Sequence, residues 1–256
     1  MRDILEAVAA GDLSVAAAEA ELAGYATDDV GRFDAARETR SGVPEAVYGT
    51  GKTTEEICGL VATSLETTGR AIATRLSMAD ANAVRERLRP EFEGSLSFDE
   101  RSGVLRAHAP DFERRDLDAT VGIVTAGTAD GGPAGEAAAI VSEMGATVKR
   151  IDDVGVAGIH RLFDNLANMR AVDVLIVAAG REGALPTVIA GLVDVPVIAL
   201  PIASGYGRGG DGEAALLGML QSCTMLTTVN VDAGFVAGAQ AGLIARRLHA
   251  ARNESA

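Results

Sequence analysis

The sequence predicts an α/β protein whose C-terminal part is built on a parallel sheet, preceded by a small α+β N-terminal domain. Two observations in the second half carry this prediction. Short apolar, β-branched runs recur there, and alanine- and glycine-rich stretches with helical periodicity separate them. Nearly continuous apolar strands that alternate with helices are typical of a parallel sheet covered on both faces. With 256 residues the chain has room for one or two domains, and we predict two, spanning residues 1–117 and 118–256.

The N-terminal domain lacks the alternation of the second half. Thr53 and Glu56 form a Ser/Thr-x-x-Glu capping box, which predicts the start of a helix. The segment Pro110–Asp118 is charged and begins with proline, so we interpret it as the linker between the domains. The predicted elements of this domain are one helix or a pair over about 2–23, helices over about 53–68 and 79–89, a strand before the last helix and a strand near 104–108.

The C-terminal domain is predicted to contain five strands in a βα repeat. Ligands of such sheets bind outside the carboxyl ends of the strands, so the loops that follow the strands are where a site is expected. The predicted strands lie at 121–124, 146–148, 173–178, 195–200 and 227–231, and the predicted helices at about 134–144, 156–169, 184–192, 212–222 and 235–249.

Charge and hydropathy exclude several classes of protein. The net charge of −13 argues against nucleic-acid binding, which needs a basic surface. The N-terminus has no signal-peptide pattern and no apolar run approaches the roughly 20 residues that span a bilayer, so a cytoplasmic protein without a membrane partner is predicted. Only Lys52 and Lys149 are lysines. An acidic, lysine-poor surface is typical of halophiles, although a GC-rich genome also favours arginine.

Two glycine-rich motifs resemble nucleotide-binding loops only in part. Gly49-Thr50-Gly51-Lys52-Thr53 lacks the first glycine of a P-loop, because residue 46 is alanine. Lys52 beside a helix N-terminus still suits an anion. Gly205-x-Gly207-x-x-Gly210 matches the dinucleotide fingerprint, but it follows the fourth strand of five instead of the first. We interpret it as a wall of a site that donates backbone N–H groups.

Four polar residues fall near one rim of the predicted sheet, and each also has a purely structural explanation. Asp130 is placed to cap a helix, Glu182 suits the dipole of another, and His160 fits a capping or packing role. Cys223 suits a small buried apolar site. Because all four gather after strands of one sheet, a shared chemical site becomes the better explanation. The three histidines lack the spacing of metal ligands, so no structural zinc or iron site is predicted.

Several segments together resemble the LarB family of nickel-pincer cofactor biosynthesis proteins. The resemblance extends over about residues 30–250, and the C-terminal half is more distantly similar to the PurE-type aminoimidazole ribonucleotide carboxylases and mutases. It implies a PurE-like three-layer domain for residues 118–256. The segments that carry it are Phe33–Thr53, Ala126–Asp130, Asp153–Arg161, Ala179–Pro186 and Gly205–Cys223.

The resemblance implies an activity. Enzymes of this family carboxylate the pyridinium ring of nicotinic acid adenine dinucleotide with carbon dioxide or bicarbonate and cleave its phosphoanhydride. They release AMP and pyridinium-3,5-biscarboxylic acid mononucleotide, the first step of nickel-pincer cofactor synthesis. Cleavage of the anhydride favours a divalent cation, most simply Mg²⁺, because it neutralises pyrophosphate oxygens. The family also implies a homo-octamer, and the Ala/Gly-rich helix Gly234–Leu248 offers a smooth surface for other subunits.

The expected roles of the residues follow from this chemistry. Cys223 is the expected nucleophile, since a thiolate adds readily and leaves again. Glu182 is the first candidate for the base that removes the ring proton, and Asp130 the second. Ala129 and Arg181 depart from the serine and methionine common in the family, which affects substrate contacts. The expected substrate-binding residues are Arg40, Lys52, Gly127, Thr128, His160, Gly180, Gly205, Tyr206 and Gly207.

Two rival functions stay open at this point. A PurE-type carboxylase acting on aminoimidazole ribonucleotide needs neither Cys223 nor the N-terminal domain. A non-catalytic nucleotide-binding protein on this fold needs no nucleophile. If Cys223 is a nucleophile, it should lie at a cleft reached by loops 180–183 and 204–210, whereas Cys58, within a helix, should be buried and inert.

Overall fold

The structure divides the chain into two compact units. The computed structural model describes residues 2–27, 30–89 and 92–254. The first unit is Met1–Glu113 and the second is Arg114–Ala256. The predicted boundary, between residues 117 and 118, falls in the second unit just after this division.

The N-terminal unit is a small α+β structure. It contains the predicted helices and the two predicted strands in the predicted order, together with one short helix and four strands that were not predicted. The predicted helical segment over 2–23 is a pair of helices. Its elements are α1 (Arg2–Ala10), α2 (Val15–Ala23), β1 (Ala26–Thr27), β2 (Arg32–Phe33), α3 (Arg37–Ser41), β3 (Val47–Tyr48), α4 (Thr54–Thr68), β4 (Arg70–Thr74), α5 (Met78–Leu88), β5 (Ser95–Asp99) and β6 (Val104–His108).

A four-stranded sheet in the order β3-β4-β6-β5 forms the centre of this unit. Every residue of β4 is buried, and Ile57 and Val61 of α4 pack into the same apolar cluster. The predicted capping box begins α4: the Thr53 side chain accepts from the Glu56 N–H, and the Glu56 carboxylate accepts from the Thr53 N–H at 2.7 Å. Sequence signals at the helix start thus predicted this element correctly.

The C-terminal unit contains five strands, each overlapping a predicted one. The predicted helix over 156–169 is instead a 3₁₀ turn at Val156–Gly158 followed by two short helices. The elements are β7 (Thr120–Thr125), α6 (Gly131–Glu143), β8 (Thr147–Ile151), α7 (Ile159–Asp164), α8 (Leu166–Arg170), β9 (Val174–Ala179), α9 (Ala184–Ala190), β10 (Val197–Pro201), α10 (Glu213–Leu220), β11 (Thr227–Thr228) and α11 (Gly234–Glu254).

All five strands are parallel, in the order β11-β10-β9-β7-β8. β9 is central and all six of its residues are buried, as expected of a sheet covered on both faces. One face is covered by α6 and α11 and the other by α7, α8, α9 and α10. The predicted fold class, a three-layer α/β domain after a smaller α+β domain, is confirmed.

The glycine- and alanine-rich face of α11 packs against α6 of the same chain. Gly234, Gly238 and Gly242 recur every four residues on it. A Cβ added at Gly238 would lie 2.6 Å from the carbonyl oxygen of Ala137 on α6, so the two backbones meet too closely for a side chain. This face, which the sequence indicated as a surface for other subunits, therefore already has a partner within the chain.

Among the described residues, no helix combines the length and the apolar character needed to cross a bilayer.

Candidate active site

A cavity of about 380 Å³ opens at the carboxyl edge of the parallel sheet. Loops that follow four of the strands form its walls, because the carboxyl ends of parallel strands meet at one edge. The lining residues are Ala126–Asp130 after β7, Gly155–Ala157 after β8, Ala179–Glu182 with Ala184 and Leu185 after β9, and Ser204 after β10.

Asp130 is the buried acid of this cavity, with 3% of its surface exposed. Its carboxylate accepts a hydrogen bond of 2.7 Å from the Gly127 N–H. The backbone N–H groups of Ala126 and Gly180 and the Ser204 hydroxyl lie near it and favour its ionised form. The side chain makes no cap to the helix α6 that follows. It bonds within its own loop instead, to the Gly127 N–H.

Burial raises the pKa of Asp130 above its usual value, although the neighbouring N–H and O–H groups act in the opposite direction. A carboxyl group with a raised pKa holds a proton more readily near neutral pH than an ordinary aspartate does. Such a group suits proton transfer, and perturbed carboxyls of this kind concentrate at functional sites.

Glu182 contributes the second carboxylate of the cavity and is exposed. It lies in a tight turn in which Gly183 has a left-handed φ of 66° and precedes α9. A Cβ on Gly218 of α10 would lie 2.4 Å from the Glu182 carbonyl oxygen. Close packing of α10 on this turn therefore fixes the position of the Glu182 backbone.

Arg181 and Tyr206 form a pair at the mouth of the cavity. The Arg181 guanidinium carbon lies 4.0 Å from the centre of the Tyr206 ring. A hydrogen bond from Arg181 also holds the pKa of the Tyr206 hydroxyl below its usual value. Arg181 lines the cavity, whereas Tyr206 is 75% exposed beside it. The sequence analysis noted Arg181 as a departure from the family that affects substrate contacts, but it did not include Arg181 among the expected substrate-binding residues.

Left-handed backbone conformations at non-glycine residues concentrate at the same sheet edge. Asp153 follows β8, Arg181 follows β9, Asp211 lies in the loop after β10, and Asp232 follows β11; their φ angles are 53–60°. Such conformations cost free energy in residues with a side chain and cluster at functional sites. No sequence signal marks them, because each of these residues is compatible with an ordinary loop.

The predicted glycines and Thr128 divide between the lining and the loop beside it. Gly127, Thr128 and Gly180 line the cavity. Gly205 packs on the loop after β9, since a Cβ there would lie 3.7 Å from the Arg181 nitrogen, while a Cβ on Gly207 would meet open space. Ser204, which sequence reasoning missed, reaches Asp130.

His160 is exposed at the start of α7, directly after the turn that carries the lining residues Gly155–Ala157. It is not among the lining residues of the cavity.

Cys223 is exposed and lies at the opposite edge of the sheet from the cavity. The helix α10 carries the chain from the loop after β10 back across the sheet, and Cys223 lies in the turn that leads into β11. Thr227, at the start of β11, pairs in parallel with Ile198 near the start of β10. The expected cleft between Cys223 and loops 180–183 and 204–210 is therefore not formed within one chain.

The turn around Cys223 is anchored to α9. The Thr187 hydroxyl donates to the Ser222 hydroxyl at 3.0 Å, and the Thr224 hydroxyl donates to the Thr187 carbonyl at 3.3 Å. These bonds fix the residues on both sides of Cys223 while its thiol faces solvent.

Arg40 and Lys52 belong to the N-terminal unit. The Arg40 guanidinium donates to both carboxylate oxygens of Asp34, at 2.5 and 3.2 Å, so its charge is already paired. Lys52 is exposed in the turn before α4. There is no room for a side chain at Gly49 in this turn, because a Cβ would lie 2.6 Å from Leu76. Packing therefore explains why this residue is glycine.

Cys58 is half-buried, where burial was predicted. It lines a groove of about 720 Å³ on α4 and α5 together with Glu55, Glu66 and Arg87. Burial raises the pKa of its thiol, which disfavours the reactive thiolate.

Within residues 2–27, 30–89 and 92–254, no three or more His, Cys, Asp or Glu side chains gather in a group able to hold a metal ion.

Comparisons with known proteins agree with the resemblance noted from the sequence. The family model described as the LarB/PurE-like N-terminal domain matches residues 25–108, and the AIR carboxylase model matches residues 120–256. The uncharacterized protein MJ0165 of Methanocaldococcus jannaschii is 37% identical over 257 residues, which is 97% of this chain and 98% of the relative.

Two solved structures from Treponema denticola also match the chain. The crystal structure of a single-residue variant of PurE2 has 19% identity and a TM-score of 0.38, covering 56% of this chain and 98% of that one. The structure of PurE has 18% identity and a TM-score of 0.38, covering 53% of this chain and 96% of that one.

Proposed function

The chain belongs to the AIR carboxylase family and carries a LarB/PurE-like N-terminal domain ahead of the carboxylase domain, and on this premise we propose that it carboxylates the pyridinium ring of nicotinic acid adenine dinucleotide and cleaves the phosphoanhydride. The products are pyridinium-3,5-biscarboxylic acid mononucleotide and AMP. Carboxylation is the class of reaction that the family indicates, and the dinucleotide substrate is the part that we add.

The observation that supports this proposal best is the pair of carboxylates in one cavity. Asp130 is buried with a raised pKa, and Glu182 is exposed at the same cavity. Carboxylation of an aromatic ring requires removal of a ring proton, and a carboxylate beside the ring is a suitable base. Burial therefore distinguishes Asp130 from Glu182, although both carboxyl groups line one cavity.

The proposed reaction begins with nucleophilic addition. A pyridinium ring is electron-poor and does not attack carbon dioxide. When the Cys223 thiolate bonds to the ring carbon para to nitrogen, the ring becomes an enamine, and the neighbouring carbon attacks carbon dioxide with its electron pair. The nitrogen becomes an iminium in that step.

Two further steps restore the aromatic ring. The base, Glu182 in our first assignment and Asp130 in the second, removes the proton from the newly carboxylated carbon, which regenerates the enamine. The nitrogen lone pair then expels the thiolate. The net change is exchange of a ring proton for a carboxylate, with the thiol unchanged.

Cleavage of the phosphoanhydride suits Mg²⁺ as the cation. Mg²⁺ is commonly held by one or two carboxylates together with substrate phosphates, and whichever of Glu182 and Asp130 does not act as the base would be available to hold it. When bound, the ion neutralises charge on the pyrophosphate oxygens. The chain itself supplies the cavity walls and the backbone N–H groups around Gly127 and Gly180.

An aminoimidazole ribonucleotide carboxylase is the second candidate, because the AIR carboxylase model matches residues 120–256. The match to a LarB/PurE-like N-terminal domain at residues 25–108 favours the dinucleotide. We also propose that the chain acts as a homo-octamer, as the LarB resemblance implies.

One experiment separates these candidates. The protein is incubated with nicotinic acid adenine dinucleotide, bicarbonate and Mg²⁺, and the products are identified by mass spectrometry. Release of AMP together with a mononucleotide that carries one added carboxyl group supports the proposal. Turnover of aminoimidazole ribonucleotide with the pyridine dinucleotide untouched contradicts it.

A further inference from the structure

Three hydroxyl groups close a ring of hydrogen bonds beside Cys223. Thr187 of α9 bonds to Ser222 at 3.0 Å, Ser222 bonds to Thr224 at 2.8 Å, and the Thr224 hydroxyl returns to the Thr187 carbonyl oxygen at 3.3 Å. The Thr224 N–H also donates to the Ser222 hydroxyl at 3.2 Å. The hydroxyl ring therefore ties both neighbours of Cys223 to one residue of α9.

Each hydroxyl proton in this ring has one possible direction. A carbonyl oxygen can only accept, so the Thr224 hydroxyl proton points to Thr187. Thr224 then accepts the proton of Ser222, and Ser222 in turn accepts the proton of Thr187. Because a hydroxyl carries a single proton, none of the three is left to donate to the Cys223 sulfur.

The hydroxyl ring consequently acts on the position of the thiol and not on its charge. A hydroxyl that donated to the sulfur would favour the thiolate, whereas these three donate elsewhere. Ser222 and Thr224 are half-buried against α9, and Cys223 between them is exposed. Anchors on both sides of one residue restrict its backbone, so the thiol is held toward solvent.

The helix that anchors this turn also forms a wall of the cavity. Ala184 and Leu185, at the start of α9, are lining residues, and Thr187 lies on the same helix. The helix α10 is held at a second point, where Gly218 packs closely on the carbonyl oxygen of Glu182. The cavity wall and the anchor of the thiol thus belong to one helix.

From this arrangement we propose that Thr187, Ser222 and Thr224 are positioning residues for the thiolate of Cys223. Their hydroxyl ring keeps the sulfur on a fixed line of approach to the pyridinium carbon that it attacks. The inference rests on the proposed function, in which Cys223 is the nucleophile. Bond formation requires alignment, and a displacement of about 1 Å can lower a rate by on the order of 100-fold.

Steady-state kinetics of Thr187 variants test this proposal. Thr187→Val removes the hydroxyl and keeps the shape of the side chain, so kcat for the dinucleotide should fall by about ten-fold or more while KM stays unchanged. Thr187→Ser restores the hydroxyl and should retain the wild-type kcat. A wild-type kcat in Thr187→Val, or an equal loss in Thr187→Ser, overturns the proposal.

Two further variants complete this series. Thr67→Val is the matched control, because the Thr67 hydroxyl donates to the Thr63 carbonyl within α4 at 2.7 Å, and it should leave kcat unchanged. Ser222→Ala breaks the hydroxyl ring at another member. It should reproduce the loss of kcat, and it keeps the test decisive if Thr187→Val does not fold.

The pH dependence of alkylation separates position from charge. Iodoacetamide reacts with a thiolate, and peptide mass spectrometry distinguishes Cys223 from Cys58. The alkylation rate of Cys223 should depend on pH in the same way in wild type and in Thr187→Val, because no hydroxyl of the ring donates to the sulfur. A profile displaced to higher pH in the variant would show that the hydroxyls stabilise the thiolate, and it would overturn the positioning role.

A spectroscopic measurement without substrate tests the hydroxyl ring itself. In a Cys58→Ala background, a methanethiosulfonate spin label on Cys223 should be less mobile than the same label in Thr187→Val, because the ring restricts the backbone that carries it. Equal mobility contradicts the inference whatever the substrate is. If wild type leaves the dinucleotide untouched, the proposed function fails and the positioning role with it. A fully active Thr187→Val enzyme overturns the positioning role alone.

Discussion

The Arg181 guanidinium lies 4.0 Å from the centre of the Tyr206 ring, so a cation–π contact joins the loop after β9 to the loop after β10 at the mouth of the cavity. Arg181 holds a left-handed backbone conformation, with φ of 53°, while its side chain lies on the ring. The contact therefore places a positive charge at the mouth of the cavity.

Removal of the Tyr206 ring should weaken substrate binding more than chemistry. An exposed cation–π contact contributes about 0.5–1 kcal/mol, so Tyr206→Ala should raise KM for the dinucleotide about two- to five-fold with little change in kcat. Tyr206→Phe keeps the ring and is the matched control. Steady-state kinetics of the three proteins check this, and equal KM values for all three contradict it.

Cys223→Ala should abolish carboxylation without unfolding the protein. The side chain is exposed, and exposed substitutions usually change the free energy of unfolding by less than about 0.5 kcal/mol. Trapping with an oxidised pyridine dinucleotide should give a covalent adduct that peptide mapping assigns to Cys223.

Cys58→Ala is the matched control for Cys223→Ala. Cys58 packs against the core of the N-terminal unit, so its loss should lower the free energy of unfolding by about 1 kcal/mol and leave activity intact. Carboxylation by Cys223→Ala at the wild-type rate would exclude covalent activation.

The raised pKa of Asp130 predicts a pH dependence of stability. Burial is its main cause, so the folded protein binds the proton more tightly than the unfolded chain. The contribution of this group to the free energy of unfolding is then fully present below about pH 4, which is the pKa of an aspartate in an unfolded chain. The contribution declines as pH rises through the pKa of Asp130 in the folded protein. Urea titrations between pH 4 and 8 should show this decline in wild type.

Asp130→Asn removes the titrating group and isolates its effect. As pH rises, the free energy of unfolding of wild type should therefore fall relative to that of Asp130→Asn, because only wild type carries the titrating carboxyl group. A difference that stays constant over this range contradicts the raised pKa, whatever the absolute stability of the variant is.

Gly218→Ala should displace the turn that holds Glu182. A Cβ at Gly218 would lie 2.4 Å from the Glu182 carbonyl oxygen, and such overpacking costs about 1–3 kcal/mol. We expect a lower melting temperature and a lower kcat. Gly191→Ala is the control, since the nearest atom to its Cβ is 3.5 Å away and its φ of −79° suits alanine. Equal effects of the two substitutions contradict this account.

The sequence predicted the periodic helices and strands well, and it predicted the contacts between the loops of the site less well. The runs around Val121, Val174 and Val197 are apolar and β-branched, so burial on both faces could be inferred from local pattern alone. The capping box at Thr53 is equally local. Asp130 was identified as a candidate, but its proximity to Gly180 and Ser204, which follow two other strands, is not specified by any local pattern.

Cys223 shows why proximity in sequence misled the prediction. The segment from Gly205 to Cys223 was interpreted as one wall of a site, yet α10 within it crosses the sheet and places its two ends at opposite edges. The Gly234, Gly238 and Gly242 spacing was likewise a true signal of close packing. Sequence could not say whether the neighbour was α6 or another chain.

The contact between α6 and α11 has a consequence for biosynthesis. Ala237, Ala241 and Ala245 of α11 belong to the apolar cluster on one face of the sheet, so the part of this face that α11 covers stays exposed to solvent until α11 has been synthesised. The N-terminal unit has a separate cluster and can form earlier, since domains fold in order as they are synthesised. A nascent chain thus passes through a stage in which the N-terminal unit is folded and part of one sheet face is exposed. We expect chaperones to bind the chain mainly at this stage.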